Sequence, residues 1–436
     1  MSLQGSKGSV LFMRTAMFML LLALLFGLLS AWVYLHPLFL KNSLGFQSLR
    51  PFHVSAAMGW ILSGSIACIG MGFRKSDSPR MLYVQWLLWV IAFSGVFYSY
   101  AHHQFGGREY WEFNPVWALP LAGSWLILLY RFFRSSPPYG TWPVYRWMWM
   151  TGIVFFLFTF CENYLWLLPY FRSHFISDTT IQWKVNGSLV GSWNQILYGT
   201  AFYLMQKLSG ERDAIPNRMA FAMYFLGLAN LMFNWGHHIY TLPIAPYVRY
   251  VGYAVSMTEW IFFIRILAHW RKKLSPDKQK FHLLTYRFLL AADVWAFLNL
   301  LQALAMSVPA INLYTHGTHI TVAHAMGTTI GINTMILMAA AFDMLGESWK
   351  KNKRGLLKVW WILQMALLVF WLSLLVLGIQ KALWQMNEQQ SSFSKMMQDL
   401  QNGFWVLFVS GFALALTLGY FILQWFMLSF VSAKKR

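Results

Sequence analysis

The chain has 436 residues, of which 58% are hydrophobic and only 11% are charged. A soluble domain has about 25% charged residues, so this composition excludes an ordinary soluble enzyme. The formal net charge of +20 by itself would suit a nucleic-acid-binding protein. The distribution of that charge along the chain gives a different explanation.

Apolar runs of about 20 residues recur along the whole chain, and each is long enough to cross about 30 Å of hydrocarbon. The first run is too long and too poorly flanked for a cleaved signal peptide. The sequence therefore predicts an all-α fold, a single polytopic membrane domain over residues 1–436 with about 12 transmembrane helices and no soluble module. The predicted helices cover residues 15–35, 52–73, 81–101, 114–133, 145–168, 184–206, 218–239, 250–270, 283–307, 318–342, 356–380 and 403–430.

Lys and Arg are distributed unevenly between the two sides of the predicted membrane bundle. If the N-terminus is cytoplasmic, 24 of the 34 basic residues lie on the cytoplasmic side and 8 on the other, while Arg265 and Arg287 fall within apolar runs. This asymmetry follows the positive-inside rule. It predicts that both termini are cytoplasmic, and it explains the basic composition by contact with a lipid bilayer, with no nucleic-acid partner.

Two adjacent histidines, His237 and His238, close the seventh apolar run. Histidines inside a membrane segment are costly, and two neutral imidazoles can bind one iron, copper or zinc ion. Neighbours on a regular helix point about 100° apart, so a shared metal requires a loosened backbone at the helix end, which Gly236 permits. The alternative is an interfacial pair that is hydrogen-bonded to loop carbonyls.

Two other segments carry side chains suited to haem. His53 lies on an apolar helix rich in small residues, which let a flat cofactor or another helix approach closely. His324 and Met326 are two residues apart, about 200° on a helix, so one helix could ligate two haems on its opposite faces. The alternatives are a His53 bonded to a carbonyl, and a His324 and Met326 that only pack between helices.

The second outer loop, residues 102–113, contains Arg108 and the acids Glu109 and Glu112. Arginine pairs bidentately with carboxylates such as haem propionates, and a carboxylate beside propionates could hold calcium. The alternative is a solvated loop anchored by its aromatic residues. The chain has no CxxCH motif, which excludes a covalently attached haem.

Lone acids lie inside three apolar runs, at Glu162, Glu259 and Asp293. An intramembrane acid is a candidate for function, and the alternative is a structural acid with a basic partner.

Together these residues resemble the catalytic subunit of the haem-copper oxidase superfamily, and in particular the large subunit of bacterial nitric oxide reductases. The resemblance covers nearly the whole chain in helix number, orientation and motif order. The motifs that carry it are Arg50-Pro51-Phe52-His53, Gly107-Arg108-Glu109-Tyr110-Trp111-Glu112, Gly236-His237-His238, Glu259 and the segment from His316 to His324.

The resemblance implies two b-type haems, one low-spin and one high-spin, beside a non-haem metal. His53 resembles a ligand of the low-spin haem, and His324 resembles the proximal ligand of the high-spin haem. His237 and His238 resemble two of the three histidines on the metal. Glu259 resembles a carboxylate near the active site.

In the second outer loop, Glu109 resembles the residue that helps to hold calcium between haem propionates and a small subunit, and Arg108 is the candidate for pairing with the propionates. The oxygen-reducing members of the superfamily carry a His-Pro-Glu-Val-Tyr motif that this chain lacks. Its absence favours nitric oxide over oxygen, and iron over copper.

The sequence departs from the family pattern at the metal site and at the low-spin haem. The third metal histidine corresponds to Asn186, two nearby glutamates correspond to Val190 and Asn194, and the second low-spin haem histidine corresponds to Met326. We predict Met326 as the second ligand of that haem. Asn186 is a candidate third metal ligand through its amide oxygen and Glu259 is the competing candidate, since oxygen ligands favour iron over Cu(I).

The resemblance implies reduction of nitric oxide to nitrous oxide in a respiratory, denitrifying electron-transport chain of the bacterial cytoplasmic (inner) membrane. A small c-type cytochrome subunit or another periplasmic donor would supply the electrons. The alternatives are a nitric oxide dismutase or terminal oxygen reductase on the same scaffold, and a non-catalytic haem-binding membrane subunit. The asparagine at position 186 also resembles the dismutases.

Overall fold

Helices make up almost all of the secondary structure of the protein, in agreement with the predicted all-α fold. The structure, a computed structural model, describes residues 7–41, 44–73, 78–210, 217–240, 242–256, 270, 275–387 and 391–433. The α-helices of the described residues are α1 Lys7–Leu35, α2 Phe46–Met71, α3 Pro79–Ala101, α4 Ala118–Ser135, α5 Val144–Asn163, α6 Pro169–Arg172, α7 Phe175–Ser209, α8 Asn217–Phe233, α9 Pro246–Ser256, α10 Pro276–Phe281, α11 Leu283–Ser307, α12 Pro309–Thr315, α13 His319–Met326, α14 Met335–Met344, α15 Lys353–Met386, α16 Phe393–Asp399 and α17 Gln401–Ala433.

Shorter elements connect or interrupt these helices. The strands β1 Phe105–Arg108 and β2 Trp111–Phe113 form an antiparallel pair in the second outer loop, with Phe105 opposite Phe113. This pair was not predicted from the sequence. The 3₁₀ segments are Pro115–Trp117, Tyr139–Thr141, Tyr164–Leu167, Asn234–Ile239 and Ser348–Asn352, and a π-helical segment, Gly327–Thr334, joins α13 to α14.

Nine helices in the described part of the chain are long and apolar enough to cross a membrane, and they match nine of the twelve predicted runs. The run 184–206 falls on α7, which is 35 residues long but carries polar residues such as Asn194 and Gln195. The run 218–239 contains α8, a shorter apolar helix. The run 250–270 lies largely outside the described residues, so the count of about 12 stays a prediction.

The packing of the chain separates two compact units. The first unit consists of Met1–Gln4, Met17–Trp60 and Arg287–Arg436, and the second consists of Gly5–Ala16 and Ile61–Tyr286. The single membrane domain inferred from the sequence remains a prediction.

Aromatic contacts hold the core of the first unit. The rings of Phe288, Phe342 and Phe421 contact one another with centroids between 5.2 and 5.9 Å apart. The buried Trp425 indole donates to the Ala341 carbonyl over 2.8 Å. Packing and interhelical hydrogen bonds of this kind drive helix association in lipid, because lipid chains remove the hydrophobic difference between helix and solvent.

In the second unit α5 lies directly against α7. The Trp149 indole donates to the Ile196 carbonyl over 3.1 Å, and a Cβ at Gly152 would lie 2.5 Å from the Ser192 carbonyl oxygen. The small residue brings the two backbones together, and the buried indole finds its acceptor on the neighbouring helix. This contact positions α7, which carries Asn186.

Candidate functional site

In the first unit, the helices that carry the predicted haem ligands run side by side in the same direction. The Tyr34 ring lies 5.0 Å from the ring of Phe46 at the start of α2, and 5.9 Å from that of His319 at the start of α13. Further along, the Trp60 indole of α2 donates to the Thr334 hydroxyl over 2.9 Å. Both helices therefore start beside Tyr34, and about 14 residues later α2 still contacts the π-helical segment Gly327–Thr334 that continues α13.

This arrangement places His53 and Met326 at similar depth. His53 lies seven residues after Phe46, and Met326 lies seven residues after His319. At 1.5 Å per residue, each side chain lies about 10 Å from its helix start. Histidine and methionine are both established haem ligands, and His53 and Met326 would hold one haem if their side chains face each other.

The His53 ring is already oriented by a hydrogen bond. Its Nδ1 lies 2.8 Å from the carbonyl oxygen of Ala23 in α1. Because a carbonyl only accepts, Nδ1 carries the proton, and Nε2 keeps the lone pair that a metal requires. The alternative interpretation of His53, a side chain bonded to a carbonyl, is thus compatible with haem ligation through its other nitrogen.

His324 and Met326 lie in the last turn of α13, and both are half-buried. The His324 ring lies within hydrogen-bonding reach of the backbone of Asn299 in α11. Nδ1 itself is buried and forms no well-aligned hydrogen bond among the described residues. One ring nitrogen of His324 therefore remains available to bind iron.

The π-helical segment begins directly after Met326, and sequence reasoning missed it. Within this segment the Thr334 hydroxyl donates to the carbonyl of Thr329, five residues earlier, over 2.8 Å. Such segments are frequent at functional sites. The sequence feature that could have indicated it is a glycine inside the helix, Gly331. In the structure a Cβ at this position would lie 2.7 Å from the Trp295 side chain.

In the second unit, the adjacent histidines lie where helical geometry loosens. The α-helix α8 ends at Phe233, and the 3₁₀ segment Asn234–Ile239 continues the chain through His237 and His238. The structure thus has the irregular helix end that a shared metal requires. Tyr240 directly follows this segment, and burial raises the pKa of its hydroxyl to about 12, so the hydroxyl remains protonated at neutral pH.

This 3₁₀ segment lies directly against the part of α7 that carries Asn186. A Cβ at Gly187 would lie 2.8 Å from the Trp235 Cβ, which shows how closely the backbones approach. The His238 ring stacks on Trp183 with centroids 5.4 Å apart and planes 9° apart. Trp183 and Asn186 are three residues apart and neighbours on one helix surface, so His238 lies against the surface of α7 that carries Asn186.

The Asn186 side chain is buried and unsatisfied. The residue is 3% exposed, and neither its amide nitrogen nor its amide oxygen has a hydrogen-bond partner among the described residues. Val190 and Asn194 follow at spacings of four, so the three departures from the family pattern share one face of α7. A buried amide of this kind is a group that a ligand would satisfy.

Two predicted metal-site groups, the His237 side chain and Glu259, lie outside the part of the chain that the structure describes. Among the described residues, no three His, Cys, Asp or Glu side chains gather into a metal-binding group. The described part of the candidate metal centre is therefore His238 with Asn186.

Arg108 has a partner that sequence reasoning missed. Its guanidinium donates to both carboxylate oxygens of Asp178 over 2.6 Å and lies 5.4 Å from the centre of the Trp166 ring. A haem propionate would have to share Arg108 with Asp178. Glu109 is half-buried in the turn between β1 and β2. No sequence pattern indicates this pairing, because Asp178 lies 70 residues after Arg108, in the first turn of α7.

The intramembrane acid Glu162 has the basic partner that its structural interpretation requires. Lys184 forms an ion pair with it, and the side chains of Lys184 and Glu162 are 32% and 14% exposed, respectively. The pair joins the end of α5 to α7, and it is a structural contact beside the candidate metal site.

The chain is similar to known proteins over most of its length. A family model described as Cytochrome C and Quinol oxidase polypeptide I matches residues 7–413. A nitric oxide reductase chain of Stutzerimonas stutzeri is 25% identical over 433 residues, covering 89% of this chain and 87% of that protein.

Cytochrome c oxidase subunit 1 of Rhodobacter capsulatus is 21% identical over 404 residues, covering 85% of this chain and 74% of that protein. A solved heme-copper terminal oxidase dimer contains a chain that superposes with a TM-score of 0.74 at 12% identity, covering 97% of this chain and 84% of that one. At this identity the structural likeness shows the fold.

Proposed function

The chain belongs to the family of cytochrome c and quinol oxidase polypeptide I, and on this premise we propose that it reduces nitric oxide to nitrous oxide. Two nitric oxide molecules, two electrons and two protons would give one nitrous oxide and one water. Membership of the haem-copper oxidase superfamily, the resemblance found in the sequence, is confirmed. The choice of nitric oxide is supported by the relative that is named a nitric oxide reductase.

The observation that carries the proposal is the contact between the 3₁₀ segment and α7. His238 stacks on Trp183, on the surface of α7 that also carries the buried, unsatisfied amide of Asn186, and it does so at an irregular helix end. Imidazole nitrogen and amide oxygen together suit iron better than Cu(I), which prefers softer ligands. The absence of the His-Pro-Glu-Val-Tyr motif of oxygen-reducing members supports the same choice.

The chain's own side chains would hold two b-type haems and one non-haem iron. His53 and Met326 would ligate the low-spin haem and His324 the high-spin haem. His237 and His238 would bind the iron, with Asn186 or Glu259 completing the site. When bound, these groups supply one-electron transfer and nitric oxide binding, which side chains alone lack.

Protein groups around the iron site would orient ligands and deliver protons. The Asn186 amide can donate from Nδ2 and accept at Oδ1, but it does not ionise and therefore cannot supply a proton at neutral pH. Val190 and Asn194 are also non-ionisable, so α7 offers no proton donor at these three positions. Glu259 is therefore our candidate for the proton donor, in competition with its role as a ligand.

The site near Arg108 would serve the haem propionates. Arg108 would share its donors between Asp178 and a propionate, and Glu109 would help to hold calcium there. A small c-type cytochrome subunit, or another periplasmic donor, would deliver electrons in a denitrifying respiratory chain. The protein would lie in the bacterial cytoplasmic membrane with both termini cytoplasmic, as the distribution of Lys and Arg indicates.

The direct test is nitrous oxide production by the purified protein supplied with nitric oxide and a reduced donor, with haem and iron measured on the same sample. We expect donor-dependent nitrous oxide from protein that contains two haems and one non-haem iron. Iron-loaded protein that consumes donor without releasing nitrous oxide would contradict the proposal.

A nitric oxide dismutase is the second candidate, because Asn186 stands where the reductases have a metal histidine. It would convert two nitric oxide molecules to dinitrogen and dioxygen without any donor, so the same assay separates the two. Terminal oxygen reduction, which the cytochrome c oxidase relative favours, would appear as donor-dependent oxygen consumption. A haem-binding protein without catalysis would show haem absorbance and no turnover with either gas.

A further inference from the structure

The surface of α1 that faces His53 is shaped to fit its ring. Gly27 lies so close that a Cβ there would be 2.9 Å from both Nδ1 and Cε1 of His53. Real Cβ atoms do not approach other atoms this closely, so only glycine permits the observed ring position. The neighbouring rings of Phe26 and Phe52 stack with centroids 4.8 Å apart and fix the separation of α1 and α2 at this level.

Gly27 also exposes the carbonyl that His53 uses. In an α-helix the N–H of residue 27 donates to the carbonyl of residue 23, so the Ala23 oxygen already accepts one bond within α1. A carbonyl has a second lone pair, to which His53 donates over 2.8 Å. A helical side chain leans toward the turn before it, so any side chain at position 27 would cover this carbonyl.

The position of Gly27 also shows which nitrogen of the His53 ring is turned away from α1. The hypothetical Cβ of Gly27 would lie 3.8 Å from Nε2 but 2.9 Å from Nδ1. Nδ1 therefore faces α1, and Nε2 is the nitrogen turned further from it. A histidine that binds metal through one nitrogen characteristically donates from the other to a carbonyl or carboxylate, which fixes its tautomer and raises its basicity.

We infer that Gly27 and the Ala23 carbonyl are positioning groups that select the Nδ1–H tautomer of His53 and direct its Nε2 to the low-spin haem iron. The inference rests on the haem assignment within the proposed function, but it concerns residues of α1 that would act through His53. Gly27 acts by leaving space, and the carbonyl acts by accepting the hydrogen bond that Nδ1 donates.

The first test compares Gly27→Ala with Gly419→Ala, a control in the same unit whose new Cβ would have no atom within 4 Å. We expect Gly27→Ala to lower affinity for the low-spin haem by about 10–100-fold, as loss of such supporting contacts does. We also expect a raised reduction potential of that haem and altered low-spin EPR signals. The high-spin haem should be retained. A Gly27→Ala protein with the potential and EPR spectrum of the Gly419→Ala control would overturn the inference.

A second test works even if Gly27→Ala fails to fold. In His53→Gly, added imidazole should restore the low-spin absorbance at a concentration about tenfold or more below that of 1-methylimidazole, because only imidazole has an N–H for the Ala23 carbonyl. Equal rescue by the two compounds would refute the role of that carbonyl. A wild-type protein without a low-spin haem would overturn both this inference and the proposed cofactor set, whereas a low-spin haem indifferent to Gly27 overturns this inference alone.

Discussion

The first unit holds its candidate haem ligand through an existing hydrogen bond, whereas the second unit holds its candidate metal ligand without one. His53 donates to the Ala23 carbonyl over 2.8 Å and rests against Gly27. Asn186 is 3% exposed, and neither of its amide atoms has a partner among the described residues. One side chain is oriented before a cofactor binds, and the other is buried at a cost.

The difference shows what each site requires of its cofactor. An imidazole that has used Nδ1 needs iron only at Nε2, so loss of haem leaves little unsatisfied. A buried amide without partners costs about 1–3 kcal/mol, which a ligand at the metal centre would offset. We therefore expect loss of the non-haem metal to leave a buried amide unsatisfied, whereas loss of the low-spin haem leaves the hydrogen bond from His53 to the Ala23 carbonyl in place.

The largest expected effect tests the metal side of this comparison. His237→Ala or His238→Ala should remove the non-haem metal and abolish nitrous oxide production, because each deletes a proposed ligand. Both haems should remain, as measured by pyridine haemochrome and metal analysis. His174→Ala, which alters an exposed histidine of the same unit, is the control. Full metal occupancy in both variants would refute the assignment.

The next effect tests the haem side. Met326→Leu should abolish the methionine-to-iron charge-transfer band at the red end of the oxidised spectrum, and Met326→His should lower the reduction potential, since a His/Met pair has a higher potential than two histidines. Met338→Leu replaces a fully buried methionine in the same unit and should change neither. An unchanged low-spin spectrum in Met326→Leu would show that another residue completes the haem.

A smaller effect separates the buried amide from the competing carboxylate. Asn186→His should tighten metal binding, and Asn186→Leu should weaken it while stabilising metal-free protein by about 1–3 kcal/mol. Asn163→Leu is matched to it, since that amide is also 3% exposed and has no partner among the described residues. It should stabilise without changing metal affinity. If Asn186→Leu leaves metal affinity intact and Glu259→Gln reduces it, Glu259 is the ligand.

The smallest effect concerns Arg108, whose side chain is 24% exposed in its pair with Asp178. Arg108→Lys replaces the planar guanidinium, whose Nη2 contacts both Asp178 oxygens, by a flexible ammonium, and at this exposure the cost should be about 1 kcal/mol in thermal unfolding. Asp178→Asn should cost a similar amount. If Arg108 also binds propionates, only Arg108→Lys will shift the reduction potentials of the haems. Equal haem potentials in the two variants would show that Arg108 has a purely structural role.

Apolar run length alone was sufficient to predict nine of the long apolar helices, because the thickness of the hydrocarbon layer sets the number of residues each must contain. Nine predicted runs correspond to helices that meet this requirement among the described residues. The candidate ligands were also readable from the chain, since histidines in apolar segments are rare enough to draw attention. The family resemblance rested on these same residues and was confirmed over residues 7–413.

Contacts between residues distant in sequence decided the rest. The equal depth of His53 and Met326 depends on Tyr34 and on the bond from Trp60 to Thr334, which spans 274 positions. No local pattern encodes the pairing of Arg108 with Asp178 or of Lys184 with Glu162. The sequence by itself determined which side chains could serve as ligands. Only the packing of helices against one another decided which nitrogen of His53 is free, and which amide is buried without a partner.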